Sequence, residues 1–314
     1  MKAVQFARCG GPEVLQVQDV AEPKPASGEV LIAVKATTVN RLDLFQRNGS
    51  RPVSALPFTP GLEAAGIVVE DAEGFSKGDR VLTTRASGAR GGGGYASQIA
   101  VPAGDLVRIP ANVSFEMAAA AGLAGSTAWG ALFDLGNLQR GERVLIWAGS
   151  SGVGTLAIQF AKQAGAWVAT TASSEERGTA LRKLGADLVI NHKQQDIGKT
   201  LQNEGGVNLV VELVGNTLQA SIEACTADGR VILIGNLGGK EAAVDTQSWR
   251  LKRVHVIGGG MVHTSPENEQ KFIQLIAEQK ATPLIESTLP IEEAAEAHRQ
   301  LEAGHPQGKI VLIH

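Results

Sequence analysis

From Glu142 onward, six short apolar runs alternate with helical segments, and this alternation restricts the fold more than any other feature of the chain. The runs are RVLIWA (143–148), WVATTA (167–172), DLVIN (187–191), NLVVELV (208–214), RVILIG (230–235) and VHVIGG (254–259). Between the first two, Val153, Leu156, Ala157, Phe160, Ala161 and Ala164 recur at helical spacing. Strands that are apolar on both faces need cover on both faces, and connecting helices supply it in a parallel sheet. Six strands in this order fit a doubly wound, dinucleotide-binding (Rossmann) architecture.

The texture before this region is different. From Met1 to about Arg108 the chain reads as short strands and turns, a β-rich domain with the character of a partly closed barrel. VLIAVKA places Val30, Ile32, Val34 and Ala36 on one face. Further strand-like pieces (GIVVED, DRVLTT, YASQIAVP) are separated by EPKPASGE, RPVSALPFTPG and ARGGGG, which have turn compositions. SFEMAAAAGLAGSTAWGALFDLG reads as helix. The tail returns to helices and one strand, GKIVLIH, expected to pair back onto the first domain. The predicted fold class is α/β, with a β-rich domain over 1–118, completed by 256–314, and a doubly wound domain over 119–255.

WAGSSGVGTLAIQF (147–160) lies where the first of the six strands turns into a helix. Such a turn can rest a pyrophosphate on the backbone N–H groups of the helix N-terminus. The strict glycine pattern requires glycines at 149, 151 and 154, and here Gly149, Ser151 and Gly154 occupy those places, with Gly152 beside the serine. The backbone of Ser151, Gly152, Val153 and Gly154 is then the candidate phosphate cradle. A tight strand-to-helix turn with no ligand would use the same residues. An NAD site carries Asp or Glu at the tip of the next strand. This strand ends Thr171-Ala172-Ser173-Ser174, with no carboxylate at its tip. Ser173, Ser174 and Arg177 suit a ribose 2′-phosphate instead, which favours NADP(H). Glu175 and Glu176 stand against this if they point inward. As first-turn acids behind a Ser174 N-cap they would complement the helix dipole.

Composition narrows the chemistry. The chain has 29 Lys plus Arg against 32 Asp plus Glu, a net charge of -3, so nothing advertises a nucleic-acid or membrane partner. The opening residues lack the apolar core of a signal peptide and no run approaches the length of a membrane span, which points to a cytoplasmic protein. The two cysteines, Cys9 and Cys225, form no disulfide framework. All six histidines (His192, His255, His263, His298, His305, His314) come late, and the first 191 residues hold one cysteine and no histidine. A zinc site in the first domain lacks its usual ligands.

Taken together, GEVLIAVKATTVN followed by RLDLFQRNG, FTPGLEAAGIVVE, GDRV, AGSSGVG and the closing GKIVL resemble the medium-chain dehydrogenase/reductase superfamily over essentially the whole chain. The resemblance implies a GroES-like catalytic domain beside the Rossmann domain. Zinc members carry Gly-His-Glu where this chain reads Gly61-Leu62-Glu63. VLIWAGSSGVGTLAIQFAKQAGA, with LRKLGADLVINHKQQD through GVNLVVELVG, is similar to the zinc-independent quinone oxidoreductase and zeta-crystallin branch. That branch reduces quinones or α,β-unsaturated carbonyls with NADPH. Such acceptors are already electrophilic, so no metal is needed to polarise them.

The resemblance also implies roles for single residues. Arg177 falls where the group places a basic residue for the 2′-phosphate, and His192 where an aromatic or histidine lies near the adenosine ribose. Asn40 is the candidate donor to cofactor or acceptor, or else a loop cap. Asp43 would orient it, or is simply an N-terminal helix residue. Thr127 matches a position near the nicotinamide, or is a helix threonine bonded to its own backbone. Phe45 stands where several members have tyrosine; it can stack on a flat ring but cannot donate a proton, so the product anion would take its proton from water. Arg51 to Pro60 and GARGGGG (88–94) would shape the acceptor pocket, the latter as a mobile lid or a plain hairpin turn. Reduction of 2-alkenals or enoyl thioesters, and a catalytically weak NADPH-binding protein, are the alternative readings. Relatives pair as homodimers through an edge strand, here VHVIGGGMVH.

Overall fold

The computed structural model describes residues 1–86, 90–260, 262, 264–304 and 306–314. The chain forms two compact units, Met1–Ala124 with Ser265–His314, and Gly125–Thr264. The sequence reading cut after 118 and after 255. The first observed division falls inside one continuous helix, where no turn signal marks it.

In the first unit, β1 (Lys2–Gln5) and β2 (Gln16–Asp19) form an antiparallel pair. The long strand β3 (Glu29–Thr38) leads into helix α1 (Arg41–Arg47), followed by β4 (Ala64–Val68), β5 (Arg80–Thr83), β6 (Gln98–Pro102) and β7 (Val107–Arg108). Strand β3 organises the sheet. β4 pairs along one edge; on the other, β6 takes residues 29–33. Its Val30, Ile32, Val34 and Ala36 are all buried, as the alternation requires. Helix α2 (Phe115–Trp129) continues into a π-helical turn at Gly130–Leu135.

The second unit carries β8 (Arg143–Ile146), α3 (Gly152–Gln163), β9 (Trp167–Ala172), α4 (Glu175–Lys183), β10 (Leu188–Asn191), α5 (Ile197–Asn203), β11 (Val207–Glu212), α6 (Leu218–Ala224), β12 (Cys225–Leu233), α7 (Thr246–Lys252) and β13 (His255–Gly258). The sheet order is β10-β9-β8-β11-β12-β13, every neighbour pair parallel. This is the doubly wound order, with the chain reversing direction between β8 and β11. Val144, Leu145 and Ile146 of β8 and Leu209, Val210 and Val211 of β11 are fully buried. Burial of each such side chain contributes roughly 1.5–3 kcal/mol before entropy is subtracted. Strand β13 ends the sheet at Gly258; within the VHVIGGGMVH segment, Met261 and His263 lie outside the described residues.

The chain then returns to the first unit through α8 (Pro266–Ala277), β14 (Ile285–Pro290), α9 (Ala294–Ala303) and β15 (Lys309–Ile313). As expected, the closing strand pairs back: β15 runs antiparallel to residues 36–38 of β3.

The glycine run is neither lid nor simple hairpin in its described part (88 and 89 lie outside it). Gly93 N–H donates to Thr59 O, Gly94 N–H to Gly61 O and Tyr95 N–H to Pro60 O, at 3.0–3.1 Å. Backbone lies on backbone here. A Cβ on Gly93 would collide with Pro60 O, one on Gly94 with Glu63 O, and one on Gly61 would stand 2.5 Å from Gly94 N. Gly94→Ala is therefore expected to lower stability by about 1–3 kcal/mol or more, read as a fall in the thermal midpoint. An unchanged midpoint would show that the two segments can separate without loss.

Candidate functional site

The glycine turn is wired to the strand beside it. Ala148 N–H donates to Thr171 Oγ1 (3.0 Å) and Gly149 N–H to Thr171 O (3.2 Å), while Thr170 Oγ1 donates to Ile146 O (2.7 Å). A side chain at Gly149 would collide with Thr170, and one at Gly154 with Ala148 O. Both glycines are required for close packing. Ser151, in place of the middle glycine, is the N-cap of α3: Gly154 N–H donates to its Oγ at 3.0 Å. Thr155 N–H is taken by Ser151 O. The amides of Gly152 and Val153 have no partner among the described residues. Two open donors at the positive end of a twelve-residue helix fit one phosphate of a dinucleotide.

The tip of β9 lies beside a cavity of about 450 Å³, whose walls include Ser173, Ser174, Glu175, Arg182, Asn191 and Gln194. Ser174 caps α4, accepting Arg177 N–H at 3.4 Å, and Glu175 and Glu176 are exposed in the first turn, where the helix dipole favours acids. Arg177 is half-buried and does not belong to the cavity wall; Arg182, one and a half turns further along, does. His192 follows β10, its N–H donating to Ala172 O (3.2 Å). Desolvation and the adjacent Lys193 lower its imidazole pKa, so near neutral pH it presents an uncharged ring.

The first unit holds a polar cluster that the sequence did not announce. Asn40 Nδ2 donates to Glu63 Oε2 (2.8 Å), and Lys309 Nζ donates to Asn40 Oδ1 (2.6 Å). Lys309 lies 3.4 Å from Glu63 Oε1, which also accepts the Thr38 hydroxyl. Glu63 is fully buried and Lys309 nearly so. An ammonium only donates and a carboxylate only accepts, so the orientation of the Asn40 amide is fixed, with one N–H and one oxygen lone pair left over. Asp43, also fully buried, accepts the amides of Asn40 (2.8 Å) and Gly61 (3.0 Å). It orients the Asn40 backbone rather than its side chain. Burial, then the charge of Glu63, raise its pKa to about 7. Phe45, on the same helix, is half-buried.

Of the candidate residues, the structure groups three in the first unit: Asp43 and Phe45 on α1, and Asn40 as the N-cap of that helix. Gly149 to Gly154, Ser173, Ser174, Arg177 and His192 lie in the second, as does Thr127 on α2. Thr127 is half-buried and its hydroxyl makes no hydrogen bond among the described residues, so the self-bonded alternative is not realised. Sequence reasoning missed Glu63 and Lys309 as members of this cluster. The available signal was a charged residue set directly against apolar strand runs, in LEAAG and GKIVL.

Tyr95, the chain's one tyrosine, is fully buried. Arg47 Nη1 donates to His298 Nδ1 (3.3 Å), and because a guanidinium cannot accept, Nε2 carries the ring proton and donates to Tyr95 Oη (3.0 Å). Arg47 also pairs with Glu302. Burial, then Arg47, lower the His298 pKa to about 3.

Two family models match the chain: the alcohol dehydrogenase GroES-like domain over residues 26–111 and zinc-binding dehydrogenase over 152–278. A quinone oxidoreductase of Rattus norvegicus is 34% identical, the alignment covering 100% of this chain and 98% of that protein. Among solved structures, an NAD-dependent alcohol dehydrogenase matches with a TM-score of 0.91 at 30% identity, covering 100% of both chains. The Escherichia coli quinone oxidoreductase complexed with NADPH matches with a TM-score of 0.91 at 29% identity, again over 100% of both.

Proposed function

Because the chain belongs to the quinone oxidoreductase type of the medium-chain dehydrogenase/reductase superfamily, we propose that it is an NADPH-dependent, zinc-independent reductase of quinones or α,β-unsaturated carbonyls. One observation carries the reading: the unpartnered amides of Gly152 and Val153 at the start of α3, held open by the Ser151 cap. They would hold the pyrophosphate, with Ser173, Ser174, His192 and a basic residue of α4 receiving the adenosine end. The bound nicotinamide would supply the hydride that an electrophilic acceptor needs.

The remaining chemistry is orientation and proton supply. In the second unit Thr127 offers a hydroxyl that makes no hydrogen bond among the described residues; in the first, Asn40 offers an N–H whose direction Glu63 and Lys309 fix. Phe45 offers part of a flat ring to an aromatic acceptor. Tyr95 is engaged with His298 inside the core, so the anionic product takes its proton from water. Leu62 stands where zinc members have histidine, and among the described residues no three His, Cys, Asp or Glu side chains gather as a metal site requires. The NADPH preference rests on the β9 tip, where serines replace the acid of an NAD site.

The test is oxidation of NADPH or NADH by the purified protein with a small ortho-quinone, an enone in parallel, and the non-enzymatic rate subtracted. Acceptor-dependent oxidation faster with NADPH than with NADH is expected. Faster turnover with NADH would remove the phosphate preference. Tight NADPH binding without oxidation by either acceptor would leave a binding protein and end the enzyme reading.

A further inference from the structure

We propose that Glu212 is a positioning residue for the dinucleotide: through Ser221 and Trp147 it fixes the turn after β8 to the loop after β11. The inference rests on the dinucleotide reading above and assigns the group that holds its phosphate-binding turn in place.

Glu212 is the last residue of β11 and is fully buried. Its Oε1 accepts the amides of Val214 (2.8 Å) and Gly215 (2.9 Å) and the hydroxyl of Thr217 (2.8 Å). Its Oε2 accepts the same Thr217 hydroxyl (2.8 Å) and that of Ser221 (2.5 Å). These donors are all uncharged, and burying a carboxylate among neutral groups costs more than burying an amide of the same shape. What the carboxylate supplies in return is acceptance on both arms. A glutamine would turn an NH2 group toward one set of donors.

The link through Ser221 has a direction. Trp147 Nε1–H donates to Ser221 Oγ at 2.8 Å, and an indole nitrogen only donates. The Ser221 proton is thereby turned to Glu212, and an oxygen lone pair to Trp147. Trp147 is buried and directly follows β8, and its backbone N–H donates to Val211 O (3.1 Å). It is tied to the β11 side by main chain and indole together. The next two residues, Ala148 and Gly149, are tied to Thr171 on the β9 side. The turn that presents the Gly152 and Val153 amides is slung between these two anchors.

β8 and β11 are the neighbouring strands where the sheet reverses direction, and ligands of such sheets sit in the crevice beyond their carboxyl ends. The turn after β8 and the loop after β11 face that crevice from its two sides. The loop is itself held: Gly238 N–H donates to Val214 O (2.8 Å), and a Cβ on Gly235 would stand 2.2 Å from Leu213 O. A turn anchored to such a loop meets a pyrophosphate already in place, without an ordering cost at binding.

NADPH affinity of the full chain, measured by calorimetry beside the thermal midpoint, tests the assignment in Ser221→Ala, Trp147→Phe, their double variant and Glu212→Gln. Ser221→Ala and Trp147→Phe are each expected to weaken NADPH by about tenfold, the scale of ordering a loosened segment at binding. The double variant is expected to be no weaker than the weaker single one, because both break one chain of bonds. Glu212→Gln is expected to weaken NADPH similarly, its NH2 competing with the indole for Ser221. Should Glu212→Gln fail to fold, the other three carry the test, since they leave every bond to Glu212 Oε1 in place. Lower midpoints with NADPH affinity within about twofold of wild type would show a purely structural role and overturn the proposal. Single effects that multiply in the double variant, to about a hundredfold, would show that Trp147 and Ser221 act independently and overturn it too. A wild-type protein that binds neither NADPH nor NADH would overturn the underlying reading instead.

Discussion

Glu63→Leu is expected to destabilise the first unit by about 3–5 kcal/mol, the usual cost of removing one partner of a buried ion pair. The loss has three parts. Lys309 is left inside with only Asn40 Oδ1 as partner, and the Thr38 hydroxyl and Asn40 Nδ2 each lose their acceptor. The double variant Glu63→Leu/Lys309→Met is expected to recover the part of the loss that comes from the stranded ammonium, because an apolar pair of similar size often replaces a buried ion pair at no net cost, and to retain the part that comes from Thr38 and Asn40. Urea midpoints of the two single variants, the double and the wild type close the cycle. A single variant within about 0.5 kcal/mol of wild type, the range of ordinary surface substitutions, would show that the cluster does not hold the unit together.

The second large effect is a change of slope. In the fold His298 stays neutral until about pH 3, held down by burial and Arg47, whereas unfolded it takes a proton near 6.5. Its contribution is complete above pH 6.5 and is lost as pH falls. Asp43 behaves in the opposite sense. Burial and Glu63 keep it protonated up to about 7, whereas unfolded it ionises near 3.8, so its contribution is complete at low pH and is lost as pH rises. Between 3.8 and 6.5 the unfolded chain binds one proton on the histidine and the folded chain one on the aspartate, so these two dependences cancel.

Removing either partner exposes the other. Asp43→Asn is expected to gain stability with rising pH across that window, by up to about 1.4 kcal/mol per unit, and His298→Gln to lose it at a similar rate. Both changes also disturb hydrogen bonds to Gly61, Arg47 and Tyr95, so the slope rather than the level is the readout. Parallel slopes in all three proteins would refute the compensation.

The sheet of the second unit was legible because its order follows from local pattern: each strand is a run of apolar residues and each connection a helix. Ser174 as a cap was legible for the same reason. What was not legible depends on distant partners. Glu63 meets Lys309 only after the fold brings β4 and β15 to opposite sides of β3, and neither residue's neighbours in sequence hint at the other. The glycines at 91–94 read equally as a lid or a hairpin turn, because a backbone pressed against 59–63 and a backbone free in solvent need the same residue type.

Strand β3 is served on one edge by two partners far apart in the chain, residues 98–102 for its first half and residues 309–313 for its second. This gives synthesis a schedule. The second unit, residues 125–264, is contiguous and has all its strands before the tail of the first unit is made. The first unit must wait, with one edge of the far half of β3 unpaired and Glu63 without its ammonium, until the segment beginning at Lys309 emerges. In a nascent chain the inserted unit can therefore fold as a finished body while the unit whose two segments flank it in sequence is still open.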